Sequence, residues 1–292
     1  MKQLPSLLVA FLACSLPALA EPALPSSIPL TTNPDATLTI PATLGSDTQI
    51  RVMLDTGAGI DIFAPSLIAK VHGRPAGQFT GFRMFGERLD APLYVLPRLA
   101  VGPVVKQDVV VAGWELLDKM HLDGIVAVRD LRGQPFTLDL PGRQLTFEST
   151  ATLARRAAAG KAVPLQMDDV RGTYLDLFAQ FSIAGKPGQC EIDTGSQAAT
   201  INSRYMALLG IDKDSPAVQK KARKAVETGA DITRYWTTIP ELALADAPAV
   251  RMTKPRLSFA DIIYDCVVGI DFWQGRVVTF DIPAQRLIIA AP

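Results

Sequence analysis

A short motif occurs twice in this chain of 292 residues, and the repetition constrains the fold more than any other feature of the sequence. Asp55-Thr56-Gly57-Ala58 recurs 138 residues later as Asp193-Thr194-Gly195-Ser196. Average residue usage predicts roughly 0.05 chance copies of Asp-Thr-Gly in a chain of this length. Two copies therefore indicate an internal duplication, in which each half of the chain folds as an equivalent unit.

The segments around the motif repeat as well. Apolar runs separated by Gly-containing turns precede both copies, which predicts strands at Leu38–Leu44 and Leu175–Ile183. Short helices are expected after the motifs, at residues 65–69 and 203–208, and residues 123–128 align with residues 265–270. The sequence therefore predicts an all-β fold of two lobes with few short helices.

The amino-terminal residues have the pattern of a secretory signal. Lys2 precedes an interrupted apolar run that ends in small residues near Ala20, and no later segment is long enough to span a membrane. We expect a periplasmic or secreted protein; the alternative is a lipoprotein anchored through Cys14. The predicted organisation is a signal peptide at 1–20, an amino-terminal lobe at 21–148, a linker at 149–162 and a carboxy-terminal lobe at 163–292.

Composition excludes several classes of function. The chain has 29 basic and 29 acidic residues, so no net positive charge favours nucleic acid. Only two histidines and three cysteines are present, and no cofactor-binding motif is found. We therefore expect no metal site, no cofactor and no nucleic-acid partner. The basic segment at residues 220–224 is predicted to be a solvated helix.

One aspartate per lobe suggests a shared site. If equivalent residues meet between the lobes, Asp55 and Asp193 lie side by side, and two like charges so close cannot both ionise easily. One proton is then held by the pair, which supplies an acid and a base in one place.

The doubled motif, with Ile125-Val126-Ala127 and Val267-Val268-Gly269 downstream, resembles the aspartic peptidases of the pepsin and retropepsin kind, with two retropepsin-like lobes in one chain. Ala127 departs from the family's usual glycine. The resemblance implies lobes related by a pseudo-twofold axis, with the active site at their interface. It also implies an endopeptidase that hydrolyses peptide or protein substrates as a monomer. The alternative is a catalytically silent peptide-binding or scaffolding protein of the same fold.

The same resemblance implies roles for individual residues. Asp55 and Asp193 would hold the attacking water, and the dyad would be supported by Thr56, Gly57, Thr194, Gly195 and Ser196. Ser196 gives Asp193 a donor that Ala58 cannot give Asp55, which predicts that Asp193 ionises more readily. Candidate flaps over the substrate contain Phe82 and Phe85 in the first lobe and Thr228 and Gly229 in the second. Cys190 and Cys266 would lie on adjacent strands, which predicts a disulfide.

Overall fold

The computed structural model describes residues 25–33, 37–225 and 228–290. The predicted signal peptide and Cys14 lie outside the described residues.

The amino-terminal half is built almost entirely of strands. Its elements are β1 Ser26–Pro29, β2 Thr31–Thr32, β3 Leu38–Leu44, β4 Thr48–Asp55, β5 Ile62–Phe63, α1 Pro65–Lys70, β6 Arg74–Phe82, β7 Arg88–Val101, β8 Val104–Gly113, α2 Glu115–Met120, β9 Gly124–Ala127, α3 Val128–Leu131, β10 Phe136–Asp139 and β11 Gln144–Phe147. Helix α4, Thr150–Ala159, connects the halves and begins with a capping box between Ser149 and Thr152.

The carboxy-terminal half follows a similar plan. Its elements are β12 Gly160–Pro164, β13 Gln166–Asp169, β14 Leu175–Ile183, β15 Lys186–Ile192, β16 Thr200–Asn202, α5 Arg204–Leu208, β17 Gln219–Lys224, β18 Asp231–Thr238, β19 Glu241–Leu244, β20 Ala247–Thr253, β21 Arg256–Ala260, β22 Cys266–Val268, α6 Ile270–Trp273, β23 Val277–Asp281 and β24 Arg286–Ala290.

Each lobe has its own sheet, and the two motif strands occupy equivalent places. The first sheet has the order β2-β3-β4-β9-β5-β8-β7-β6, and the second runs β17-β18-β21-β16-β22-β15-β14-β19-β20 with β13 beside β14. Strand β4 pairs in parallel with β9, and β15 pairs in parallel with β22. Fully buried Leu54 and Ile192 precede the two aspartates, so apolar packing fixes where each motif begins.

A third sheet joins the lobes, with the order β1-β11-β10-β23-β24-β12. At its centre β10 pairs antiparallel with β23, so that Thr137 faces Thr279 and their hydroxyl oxygens are 2.8 Å apart. Next to them the rings of Phe136 and Phe280 stack with centroids 4.9 Å apart. This shared sheet brings equivalent residues of the two halves together.

The disulfide prediction is confirmed. Cys190 of β15 and Cys266 of β22 are bonded, with Cα atoms 4.5 Å apart, and both side chains are fully buried. The bond links the strand that leads to Asp193 with the strand beside it. It therefore fixes the second motif to its sheet.

The expected mostly β fold with few short helices is also confirmed, and the structure is compatible with the expected two lobes. The helix expected at residues 220–224 is wrong. This segment belongs to β17, an exposed edge strand that pairs with β18. A charged edge strand discourages pairing with other chains, and its pattern carries no apolar period that distinguishes strand from helix. Among the described residues, no helix has the length and apolar character needed to span a membrane.

Candidate active site

Asp55 and Asp193 line one cavity of about 310 Å³ between the lobes. Strand β4 ends at Asp55, and Asp193 follows β15 directly. Each carboxyl group lies against the motif glycine of the other lobe, Asp55 against Gly195 and Asp193 against Gly57. The duplicated motif therefore brings the two carboxyl groups into a single site.

The motif threonines connect the lobes beneath the carboxyl groups. The hydroxyl of Thr56 donates to the Ile192 carbonyl at 2.6 Å, and that of Thr194 donates to the Leu54 carbonyl at 2.8 Å. Each hydroxyl also accepts the backbone N–H of the opposite threonine at 3.1 Å. Both side chains are buried, so these four reciprocal bonds hold the two motifs in a fixed relation.

The motif glycines support the carboxyl groups in two ways. Gly57 N–H donates to Asp55 Oδ1 at 2.9 Å, and Gly195 N–H donates to Asp193 Oδ1 at 2.8 Å. Each glycine also packs against the opposite aspartate: a Cβ on Gly195 would lie 2.3 Å from Asp55 Oδ2, and one on Gly57 would lie 2.6 Å from Asp193 Cγ. A side chain at either position would displace a carboxyl group.

Hydrogen bonding around the two aspartates is unequal. Asp193 accepts the Ser196 hydroxyl at 2.5 Å and the Ser196 N–H at 3.0 Å, in addition to the Gly195 bond. Burial, followed by the charge of Asp193, holds the pKa of Asp55 well above its ordinary value. Because burial and the charge of Asp193 both disfavour a carboxylate at Asp55, this arrangement favours a proton on Asp55.

Ala127 and Gly269 occupy equivalent positions but differ in the space around them. Ala127 is fully buried with φ −79°, and its N–H donates to Asp61 Oδ1 at 2.7 Å. A Cβ on Gly269 would lie 2.7 Å from the Ser196 carbonyl oxygen. The first lobe therefore accepts a methyl group where the second requires glycine.

Several residues of the first flap candidate line the cavity. Strands β6 and β7 form a hairpin whose tip crosses to the second lobe, where Ile263 N–H donates to the Met84 carbonyl at 2.9 Å. Phe82 lines the cavity and is 64% exposed. Phe85 packs instead under the Arg234 guanidinium, 4.9 Å from the ring centre.

The second flap candidate lies next to the first. Thr228 and Gly229 belong to the connection between β17 and β18, and neither is among the described residues that line the cavity. Thr228 Oγ1 donates to Glu87 Oε1 of the first hairpin at 3.4 Å. The structure therefore brings these residues to the tip of the first hairpin.

Four polar residues of the second lobe near the dyad were not predicted from the sequence. Glu191, Tyr174 and Tyr264 line the cavity, and both tyrosine hydroxyls donate to Asp176 Oδ2, that of Tyr264 at 3.0 Å. Glu191 could have been found, because side chains two residues apart on a strand share a face and Glu191 is two residues before Asp193. The other three are distant in sequence and carried no motif.

Asp176 provides a test of this cluster through the pH dependence of stability. Burial raises the pKa of Asp176 from 3.8 to about 6, although both tyrosine hydroxyls oppose the shift. A group with a raised pKa in the folded state stabilises the fold most below its unfolded pKa. The free energy of unfolding is therefore expected to fall as the pH rises from about 4 to about 6, by up to about 3 kcal/mol from this group.

Urea unfolding at intervals between pH 4 and pH 7 measures this effect. The Asp176→Asn variant is expected to lose the part of the decrease that Asp176 causes, while the remaining buried carboxyl groups keep theirs. Identical pH dependence in the parent and the variant would contradict the assignment.

Comparison with known proteins establishes the fold of this chain but assigns it to no family. The structure is similar to basic 7S globulin from soybean, with a TM-score of 0.55, 10% identity, and coverage of 91% of this chain and 94% of that one. It is also similar to edgp, with a TM-score of 0.56, 11% identity and coverage of 92% and 96%. It is similar as well to conglutin gamma from lupine seeds, with a TM-score of 0.56, 10% identity, and coverage of 91% of this chain and 95% of that one. At these identities the likeness establishes the fold alone.

The identification as a pepsin/retropepsin-like aspartic peptidase is wrong. No protein-family model and no curated protein matches the chain, and none of the three solved structures is named as a peptidase. The doubled Asp-Thr-Gly motif predicts the two-lobed fold and the meeting of two aspartates. One fold can host unrelated functions, so neither the fold nor the motif alone decides the family.

Proposed function

We propose that the cavity between the lobes binds an extended peptide, and that Asp55 and Asp193 activate a water molecule there to hydrolyse a peptide bond. The observation that carries this proposal is the placement of both carboxyl groups in one cavity. Each is held by its own glycine N–H, and the threonine bonds fix the two relative to each other.

The unequal environments of the two aspartates suggest how the proton is divided. The Asp193 carboxylate removes a proton from the water, whose oxygen adds to the carbonyl carbon, while Asp55 gives its proton to the carbonyl oxygen. The tetrahedral intermediate then breaks its C–N bond as the nitrogen takes the proton held by Asp193 and one hydroxyl of the intermediate returns its proton to Asp55. A new carboxyl group and a new amine result, and the dyad returns to its starting protonation.

The hairpin of β6 and β7 supports the binding part of the proposal. It crosses the cavity and contacts the second lobe through Met84 and Glu87. Such a cover limits the access of bulk water and strengthens electrostatic interactions with the dyad. Phe82 and Trp114 add apolar surface to the cavity for substrate side chains.

A cleavage assay tests the proposal. The purified chain is incubated with an unfolded, carboxymethylated protein between pH 3 and pH 8, and new termini are identified by mass spectrometry. We expect new termini that accumulate with the amount of chain added. Their absence across this pH range would reject hydrolysis.

A second candidate is a peptide-binding or scaffolding protein without turnover, and the comparisons favour it over hydrolysis. The three solved structures compared above are named as basic 7S globulin, edgp and conglutin gamma, and none of these three is named as a peptidase. Under this candidate the cavity binds peptides but the assay yields no new termini. Binding and cleavage measured on the same peptides therefore separate the two functions.

We also propose that the protein acts outside the cytoplasm and as a monomer. The Cys190–Cys266 disulfide supports an oxidising compartment. Both carboxyl groups of the site come from one chain, so the proposed chemistry needs no second copy.

A further inference from the structure

The two walls of the cavity differ at one position that the duplication makes equivalent. Met53 precedes Asp55 by two residues in β4, and Glu191 precedes Asp193 by two residues in β15. Side chains two residues apart on a strand share a face, and both Met53 and Glu191 line the cavity. One side of the dyad therefore presents a thioether, and the other presents a carboxyl group.

Glu191 is buried without a partner. The residue is 4% exposed and lines the cavity, and among the described residues no hydrogen bond or ion pair to its carboxyl group is found. Burial raises the pKa of Glu191, and the charges of Asp193, Asp176 and Asp55 raise it further. A buried acid without a partner is costly to a fold, and a positive charge beside it would relieve that cost.

The residues around Glu191 suit an organic cation. Tyr174 and Tyr264 also line this wall, and aromatic faces attract ammonium and guanidinium groups. Both tyrosine hydroxyls donate to Asp176, and a hydroxyl oxygen that donates one hydrogen bond still has two lone pairs with which it can accept. Among the described residues, no group of three or more acidic, histidine or cysteine side chains is arranged to hold a metal ion.

Among the described residues of the first lobe that line the cavity, no acidic side chain is present besides Asp55. The counterpart of Tyr264 there is Leu122, which lines the cavity with Met53 and Ile125. Arg83, a basic residue of the cavity lining, has its guanidinium carbon 5.7 Å from the centre of the Trp114 ring. The cavity is therefore apolar on the Met53 side and acidic on the Glu191 side.

We propose that Glu191, Tyr174 and Tyr264 form a subsite for the positively charged side chain of a peptide, a lysine or an arginine, next to the dyad. Met53 and Leu122 make the subsite on the other side of the dyad apolar. This inference rests on the proposed binding of peptides in the cavity and not on hydrolysis. A substrate or ligand of this site carries a basic side chain on one side of the dyad and an apolar side chain on the other.

Matched peptides test the proposal. Two mixtures of hexapeptides are acetylated and amidated so that their ends are uncharged. Both contain the same apolar residues, and at one fixed position the first mixture has lysine and the second has norleucine. Binding is measured by calorimetry with the Asp55→Asn variant, so that no peptide is consumed. We expect the lysine mixtures to bind at least about tenfold more tightly when lysine is at the position that reaches Glu191.

Variants assign the preference to its residue. Adding Glu191→Gln is expected to bring the ratio of the two affinities to about one, and Glu191→Met to favour norleucine. Glu241→Gln, outside the cavity lining, is expected to keep the lysine preference. A merely structural role of Glu191 would change both affinities together and leave their ratio unaltered.

The outcomes separate this inference from the proposed function. Equal binding of lysine and norleucine mixtures, or a lysine preference that survives Glu191→Gln, overturns the subsite while peptide binding stands. A preference that depends on Glu191 without any cleavage by the parent chain supports the subsite and rejects hydrolysis. Failure of both mixtures to bind overturns both.

Discussion

Replacing Asp55 or Asp193 with asparagine is expected to reduce the proposed hydrolysis by at least about 1000-fold. Asparagine is nearly isosteric, and its amide oxygen can still accept the glycine N–H that holds each side chain. It can neither take a proton from water nor pass one to the carbonyl oxygen. Because one carboxyl group alone cannot supply both acid and base, each single variant should lose nearly as much activity as the double variant.

The rate of new-terminus formation from the unfolded protein measures this loss. Asp246→Asn is the matched control, since Asp246 is an exposed aspartate that does not line the cavity, and it should retain the parent's rate. Circular dichroism and thermal unfolding show whether each variant is folded. A folded Asp193→Asn variant with more than a tenth of the parent's rate would contradict the dyad.

Removing the disulfide with the double variant Cys190→Ala and Cys266→Ala is expected to give the largest loss of stability. The bond closes a loop with a sequence separation of 76 residues, for which the chain-entropy model gives about 4 kcal/mol. For a chain of this size the Tm should fall by about 8–16 °C. The effect adds to any loss from packing, because both cysteine side chains are fully buried.

Thermal unfolding of the parent, the reduced parent and the double variant measures the contribution of the bond. The reduced parent keeps both sulfur atoms and isolates the crosslink from the change in packing. Peptide mapping without reduction should recover the segments around Cys190 and Cys266 as one linked species. Equal Tm values for the oxidised and reduced parent would contradict the expected stabilisation.

The duplication predicted much of the fold. Equivalent motifs must occupy equivalent places in the two halves. The local patterns around the motifs predicted the strands at Leu38–Leu44 and Leu175–Ile183 and the two short helices α1 and α5. The basic strand β17 did not, because pairing with β18 and not an apolar period decides its conformation. The sheet that joins the lobes also required tertiary pairing between distant strands.

The chemistry of the site was predicted in part. Repetition identified Asp55 and Asp193, and the structure places both in one cavity. Tyr174 and Tyr264 were not found, because they are brought together by the sheet of the second lobe and follow no local pattern. Glu191 was visible from the two-residue period of β15, but its importance depends on burial without a partner.

The central pair of the shared sheet has a consequence for how such a molecule can vary. Thr137 and Thr279 are equivalent in the repeat and face each other, so the edge of one half is complementary to a copy of itself. If the two halves were separate, identical chains that paired through this edge, both sides of the dyad would have the same side chain. Covalent connection through α4 removes that restriction. One half can then have Met53 at the position where the other has Glu191. A single gene can therefore encode a cleft whose two sides differ.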